Sequence, residues 1–188
     1  MDALMAALVA GALAQAGDRP AWLAAILADR YRRPGTVILA AAIAIAAASI
    51  IACAGALLLR GTITPEAGRL FLALALVLQG AGGLARATPP DRLAGWRLGT
   101  FATSGLGLFV LAFGDGLQFI VLALAVSAEL PWAAAAGATA GSLAVIAPAA
   151  LIGERGWTAL PQLAARRTAA ALFLVTGAAL GFSALRLL

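Results

Sequence analysis

Histidine and lysine are absent from the 188 residues, and Cys53 is the only cysteine. Without an imidazole, the chain has no histidine metal ligand and no Ser-His or His-Glu catalytic arrangement. A single cysteine excludes an intrachain disulfide and a thiolate metal cluster, and its place inside an apolar run is typical of a small packing residue. Charged residues are also few, at 11% of the chain, which is far too little polar surface for a soluble domain of this length.

Apolar residues make up most of the chain: 63% is hydrophobic, and the mean hydropathy is +1.01. Several charge-free runs are long enough to cross a bilayer, which takes roughly 20 helical residues. The composition therefore predicts an all-α, polytopic membrane protein whose first partner is the lipid bilayer. A formal net charge of +5 suggests nucleic acid at first sight. Because the basic residues lie between apolar runs, we interpret them as topology signals and expect no nucleic-acid partner.

The apolar runs, and the breaks between them, predict six transmembrane helices. They cover about 3–28, 36–59, 67–85, 98–127, 131–153 and 168–185. Asp18-Arg19-Pro20 interrupts the first helix, and Pro89-Pro90 stops the chain between the third and the fourth. Ala14-Gln15-Ala16 resembles a signal-peptidase site, but no basic residue precedes it, so we expect this segment to remain part of the first helix.

Arginines are distributed unevenly between the two ends of the predicted helices. Nine lie between helices 1 and 2, 3 and 4, or 5 and 6, and three lie at the other end. The nine are Arg30, Arg32, Arg33, Arg86, Arg92, Arg97, Arg155, Arg166 and Arg167, and the three are Arg60, Arg69 and Arg186. Because basic loops stay in the cytoplasm, we expect both termini in the periplasm and the chain in the cell inner membrane.

The two halves of the sequence repeat. Gly17-Asp18 and Gly114-Asp115 are 97 positions apart, and Pro34 and Pro131 have the same separation without a gap. Three helices per half is an odd number, so the halves have opposite orientations. We therefore predict two inverted three-helix repeats, residues 1–90 and 91–188, that together form one membrane domain. Transporters built in this way bind their substrate near the midplane, where the repeats meet.

One aspartate lies near the middle of the first helix of each half. Asp18 and Asp115 are costly there unless they face protein or water, so such residues are functional by default. Gln15 and Gln118 are three residues from them, a spacing that shares one helix face. Carboxylate, amide and carbonyl oxygens favour hard cations such as Mn²⁺, Ca²⁺ or Mg²⁺. Two neighbouring like charges also favour proton binding. The alternative is that the aspartates only hold helices together.

Arg19, next to Asp18, is the basic residue nearest to the predicted site. It is either a gate or counter-ion for the empty site, or a partner for the carbonyl groups of another helix. Adjacent helical residues point in different directions, so the sequence leaves both interpretations open.

The paired Gly-Asp motifs, with Asp29-Arg30-Tyr31-Arg32-Arg33-Pro34 after the first copy, resemble the transmembrane protein 165 family. The family motif is Glu-x-Gly-Asp-Lys/Arg-Thr/Ser, often followed by Gln, in the first helix of each half. The first copy here is Gln15-Ala16-Gly17-Asp18-Arg19-Pro20. It keeps the Gly, the Asp and the basic position. The second copy is Ala112-Phe113-Gly114-Asp115-Gly116-Leu117-Gln118. It keeps the Gly, the Asp and the Gln, and the resemblance covers essentially the whole chain.

The resemblance implies a secondary transporter that exports Mn²⁺ or Ca²⁺ in exchange for protons, with the cation as substrate and no resident cofactor. Both motif glutamates are missing, so only Asp18 and Asp115 carry over as site residues. This loss favours an alternative, a non-transporting member that acts as a membrane scaffold or regulatory partner. An intramembrane aspartyl protease also uses two aspartates, but its Gly-x-Gly-Asp motif fails here, so we expect no enzyme. Which cation is carried, the coupling stoichiometry and a homodimer are left open.

Overall fold

The computed structural model describes residues 2–85 and 87–185, and these residues form eight α-helices and no strand. In chain order the helices are α1 (Asp2–Gln15), α2 (Arg19–Tyr31), α3 (Pro34–Leu59), α4 (Pro65–Leu84), α5 (Gly99–Phe113), α6 (Leu117–Ser127), α7 (Pro131–Ala159) and α8 (Gln162–Ala184). The eight arise because two of the six predicted segments are each broken into two helices.

The break in the first segment lies slightly earlier than predicted. α1 ends before Ala16, Gly17 adopts the left-handed conformation with φ +70°, and α2 begins at Arg19. Proline is accepted in the first turn of a helix, where its missing N–H has no partner to lose. Pro20 therefore belongs to the first turn of α2 and not to the gap.

The prediction of one continuous helix over 98–127 was wrong. α5 and α6 are bent by 67° about a short break at residues 114–116. Gly114 and Gly116 flank Asp115 there, and two glycines in three residues weaken a helix because glycine loses the most backbone freedom on folding.

Helix ends elsewhere differ from the prediction by a few residues. α3 and α4 begin two residues early, at Pro34 and Pro65, because proline suits a first helical turn. α8 begins at Gln162, six residues before the predicted start, and ends at Ala184. Residues 186–188 lie outside the described part of the chain. α7 continues past the predicted end, but Gly153 inside it has non-helical angles of φ 73° and ψ 179°.

The interruption at Gly153 is fixed by an aspartate from another helix. The carboxylate of Asp29 accepts the N–H of Glu154 at 2.7 Å. A Cβ atom at residue 153 would collide with that carboxylate. Glycine is therefore required twice at this position, for its left-handed backbone and for the space beside it.

Four helices of the described chain are long and apolar enough to span a membrane: α3, α4, α7 and α8. The bent pair α5–α6 passes the same criterion as one broken span and makes a fifth candidate. α1 is apolar but has only 14 residues. The chain is thus a multi-pass membrane protein.

Each broken helix packs against the long helix of the other half. α1 and α2 contact α7, while α5 and α6 contact α3. α4 and α8 pack against each other with opposite directions, since Gly83 near the end of α4 adjoins Ala170 near the start of α8. The long helices α3 and α7 also pack together. This arrangement brings the two helix breaks next to each other, since residues of both line one cavity.

Candidate cation site

Asp18 is the last residue before α2, with extended backbone angles of φ −102° and ψ 169°. Its N–H donates to the carbonyl of Gln15 at 3.3 Å, and its own carbonyl accepts from Trp22 at 3.3 Å, so the backbone is tied to both helices. The residue is only 9% exposed. A carboxylate at this position is stabilised by the positive end of the α2 helix dipole.

Asp115 holds the matching position in the second break. Its N–H donates to the carbonyl of Ala112 at 3.3 Å, and its carbonyl accepts from Gln118 at 3.2 Å. The side-chain oxygen Oδ2 is buried and has no hydrogen-bond partner among the described residues. A buried carboxylate oxygen without a donor is costly in the protein interior, and a cation or a proton would relieve that cost.

The two aspartates line the same two cavities. One has a volume of about 300 Å³ and lies between α1, α4, α6 and α8. The other, of about 220 Å³, lies between the two helix breaks and the end of α5. The structure therefore brings together the two carboxylates that the sequence singles out, although they are 97 positions apart in the chain.

A third charged group, Arg166, contacts Asp18 directly. Its Nη1 lies 2.5 Å from Oδ1 of Asp18, and both side chains are mostly buried, with exposures of 16% and 12%. The sequence analysis placed Arg166 in the connection between predicted helices 5 and 6, and this was wrong because α8 begins at Gln162. Pro161, directly before α8, was the available signal for that earlier start.

Gln15 and Gln118 do not share a helix with the neighbouring aspartates. The prediction that they do, from their spacing of three residues, was wrong. Gln15 is the last residue of α1 and Asp18 directly precedes α2, whereas Asp115 lies in the second break and Gln118 belongs to α6. Both glutamines are buried, and polar atoms of both side chains have no partner among the described residues. Neither is among the residues that line the two cavities.

Another amide, Gln79 on α4, does line the larger cavity. Its side chain fits against Gly116, at a place where a Cβ atom would collide with Oε1 of the glutamine. The sequence analysis missed this residue because nothing near it in the chain indicates a site. Its amide oxygen is a suitable ligand for a hard cation.

Arg19 lines both cavities beside the two aspartates. It is exposed and makes no hydrogen bond or ion pair within the described part of the chain. In this structure the counter-ion of Asp18 is Arg166. With Asp18, Asp115, Arg19 and Arg166 on its wall, the larger cavity carries formal charges that cancel. Among residues 2–85 and 87–185, no group of three or more acidic, histidine or cysteine side chains could hold a metal ion.

Comparison with known proteins gives two matches to the chain. The model of the family described as divalent cation/proton antiporter GDT1 matches residues 3–90 and again residues 100–187. A protein of Vibrio cholerae serotype O1, named "Putative manganese exporter", is 28% identical over 188 residues, which cover 97% of this chain and 92% of the relative. No solved structure matches the chain.

Proposed function

Because the chain belongs to the divalent cation/proton antiporter GDT1 family, we propose that it exports a divalent cation in exchange for protons through a site that contains Asp18 and Asp115. Proteins of this family are transporters, so the chain is not an enzyme, and the protease hypothesis is excluded. The observation that carries the proposal is that two aspartates from two helix breaks, the buried Asp18 and the half-buried Asp115, line the same two cavities.

The ligands available to a cation in these cavities are oxygen atoms. The carboxylates of Asp18 and Asp115, together with the amide of Gln79, favour a hard divalent ion over a soft one. We assign Mn²⁺ as the substrate because the Vibrio cholerae relative is named as a manganese exporter. Ca²⁺ takes the same oxygen ligands and is the runner-up.

Proton exchange follows from the same pair of carboxylates. The carboxylates of Asp18 and Asp115 line the same cavities, and a carboxylate can hold either a proton or a share of a divalent cation. Binding of Mn²⁺ to both carboxylates therefore displaces any protons that they hold. Alternate occupancy by one divalent cation or by protons is the requirement for antiport.

We further propose six transmembrane spans arranged as two inverted halves, residues 1–90 and 91–188, with α1–α2 as one broken span and α5–α6 as another. The two matched segments support this, because their starts differ by 97 residues (100 − 3) and so do their ends (187 − 90). The starts of α3 and α7 and those of α4 and α8 have the same separation (131 − 34 and 162 − 65). In this arrangement the chain lies in the inner membrane with both termini in the periplasm.

Metal export from cells tests this proposal. The chain is expressed in a bacterial host that lacks its own manganese exporter, and growth and cellular manganese are measured at rising external Mn²⁺. We expect the cells to tolerate more manganese and to accumulate less of it than cells with an empty vector. In everted vesicles, Mn²⁺ uptake should require an acid interior and should stop when an ionophore collapses the proton gradient. Unchanged accumulation, with the protein verified in the membrane, would refute the proposal.

One observation favours the second candidate function, a non-transporting scaffold. Arg166 already neutralises Asp18, and both motif glutamates are replaced, by Gln15 and Ala112. A permanent ion pair would leave one uncompensated carboxylate for a divalent ion. The scaffold hypothesis therefore predicts that Arg166 never leaves Asp18, whereas transport requires that it does.

A further inference from the structure

Arg166 joins three parts of the bundle. From α8 its guanidinium reaches Asp18 at 2.5 Å, the carbonyl of Ala85 at 2.9 Å and the carbonyl of Gly82 at 3.0 Å. The last two belong to the C-terminal end of α4, where free carbonyl groups favour a cation. One side chain therefore holds α8, the end of α4 and the first helix break together.

The same arginine lies between two cavities. The cavity that contains both aspartates has Arg166 on its wall, and so does a larger cavity of about 610 Å³ formed mainly by the end of α7, the start of α8 and Ala87. Close packing reinforces this boundary, because a Cβ atom at Gly17 would lie 2.5 Å from the carbonyl oxygen of Gln162. Arg166 thus closes the aspartates off from the side of the α7–α8 connection.

α4 carries an arginine at the place that Arg166 takes on α8. Arg69 is the fifth residue of α4 and Arg166 the fifth of α8, and their separation of 97 (166 − 69) equals that of Asp18 and Asp115 (115 − 18). Arg69 is exposed and makes no hydrogen bond or ion pair to any described residue. Arg69 therefore has the position on α4 that corresponds to that of Arg166 on α8, but it binds no partner among the described residues.

Reciprocal contacts show that α4 and α8 present matching surfaces to each other. A Cβ at Gly80 of α4 would meet the carbonyl of Ala170 at 2.8 Å, and one at Gly177 of α8 would meet the carbonyl of Ala73 at 2.9 Å. Both members of the second contact are shifted by 97 residues from the first (177 − 80 and 170 − 73). The contact between α4 and α8 is therefore nearly symmetric: equivalent residues of the two helices make equivalent contacts.

The two helix breaks, in contrast, are not in equivalent states. Gly17 has a φ of +70° and is covered by Gln162 of α8. Gly114 has a φ of −86°, and a Cβ there would meet nothing closer than the carbonyl oxygen of Val110 at 3.5 Å. The start of α8 covers the first break, and the start of α4 leaves the second uncovered. Inverted repeats produce two access states when the halves exchange such conformations.

We infer that Arg166 and Arg69 are alternate tethers, Arg166 holding Asp18 in the state seen here and Arg69 holding Asp115 in the opposite state. This inference rests on the proposed transport site and on the inverted halves. A guanidinium on Asp18 occupies the place of the transported cation, so binding of a divalent cation or of protons there releases Arg166. The cavity of the aspartates then opens towards the α7–α8 connection, while Arg69 closes the opposite side. Both arginines are positioning residues.

Labelling of a single cysteine tests the inference without a transport measurement. Cys53→Ala removes the only cysteine, and Ala16→Cys places a reporter on the wall of the aspartate cavity. A membrane-impermeant maleimide is applied to metal-free vesicles from the side of the α7–α8 connection. We expect Arg166→Gln to raise the labelling rate several-fold and Arg69→Gln to lower it below that of the parent. Arg167→Gln is the matched control, because Arg167 is exposed and makes no ion pair among the described residues.

Further arms keep the result unambiguous. Arg166→Lys retains the charge but loses the fork of donors, so its rate should lie between the parent and Arg166→Gln. Added Mn²⁺ should raise the rate in the parent and leave Arg166→Gln unchanged. Equal rates for Arg166→Gln and Arg167→Gln, or a rise with Arg69→Gln, would overturn the inference. If the chain without substitutions did not transport manganese, the proposed function alone would be refuted, because the labelling of the arginine variants is measured without metal.

Discussion

Asp18 and Asp115 occupy matching places in two broken helices but have different partners. Asp18 faces the guanidinium of Arg166 at 2.5 Å, while Oδ2 of Asp115 has no partner among the described residues. Removing one member of a buried ion pair leaves the other charge uncompensated, which is strongly destabilising. Removing a carboxylate without such a partner has no comparable cost. The same substitution should therefore act differently at the two positions.

At Asp115, we expect the change to Asn to abolish metal export and to leave the protein folded. Asn keeps the size of the side chain but removes the charge that balances a divalent ion. Manganese uptake by everted vesicles measures the loss, and detergent size-exclusion profiles measure folding. Asp91→Asn is the control, since Asp91 lies in the α4–α5 connection and its side-chain oxygen accepts a backbone N–H that Asn can still accept. Normal uptake by Asp115→Asn would show that this carboxylate is only structural.

At Asp18, the change to Asn should lower the free energy of unfolding by about 3 kcal/mol, because Arg166 is left buried without its counter-ion. Adding Arg166→Gln should recover much of that loss, so the two effects should be far from additive. Denaturant unfolding in detergent micelles measures both. If Asp18→Asn combined with Arg167→Gln recovered stability equally well, the ion pair would not be the cause.

At the scale of the helix, Pro20 indicates the first break, whereas the glycines beside Asp115 indicate a weak point in the fourth predicted helix but not a complete break. Pro20 marks the first break in the sequence, although the structure places it inside α2. The second break has only Gly114 and Gly116 as signals, and single glycines are common within transmembrane helices. Its 67° bend depends on packing between α5, α6 and α3, which no local pattern records. The role of Arg166 was missed for a related reason, because a long-range ion pair leaves no trace in the spacing of nearby residues.

The interruption of α7 gives a prediction at the same scale. Gly153→Ala should destabilise the protein by about 2 kcal/mol or more, since alanine at a positive φ is strained and its Cβ would collide with the Asp29 carboxylate. Gly35→Ala is the matched control, because Gly35 is helical, exposed and has open space around it, so alanine there should be neutral or slightly stabilising. Thermal unfolding in detergent compares the two. Equal stabilities would mean that the interruption is not held by Asp29.

At the scale of the whole molecule, the direction of transport depends on which end of the bundle is cytoplasmic. Arg166 was counted among the nine arginines of one end, but it pairs with Asp18 inside the bundle. Without it the balance is still eight to three (9 − 1). Arg30 and Arg92 of this end also hold the α4–α5 connection, Arg30 through carbonyl groups and Arg92 through Glu154. The orientation assigned from the sequence is therefore unaffected by the correction.

Reporter fusions can test the number of spans. On length and apolarity alone, the described helices supply four or five candidates. Six spans require that α1 and α2 cross together as one broken helix, as α5 and α6 do. Both termini then lie in the periplasm, by the excess of arginines at the opposite end. We expect alkaline phosphatase to be active when fused at Asp2 or Leu185 and inactive when fused at Ala94, with a fluorescent protein giving the opposite pattern. Five spans would place the two termini on opposite sides, and an inverted six-span chain would reverse all three signals. Either pattern would also reverse or remove the access side assigned to Arg166, so this measurement fixes the direction in which the proposed antiport runs.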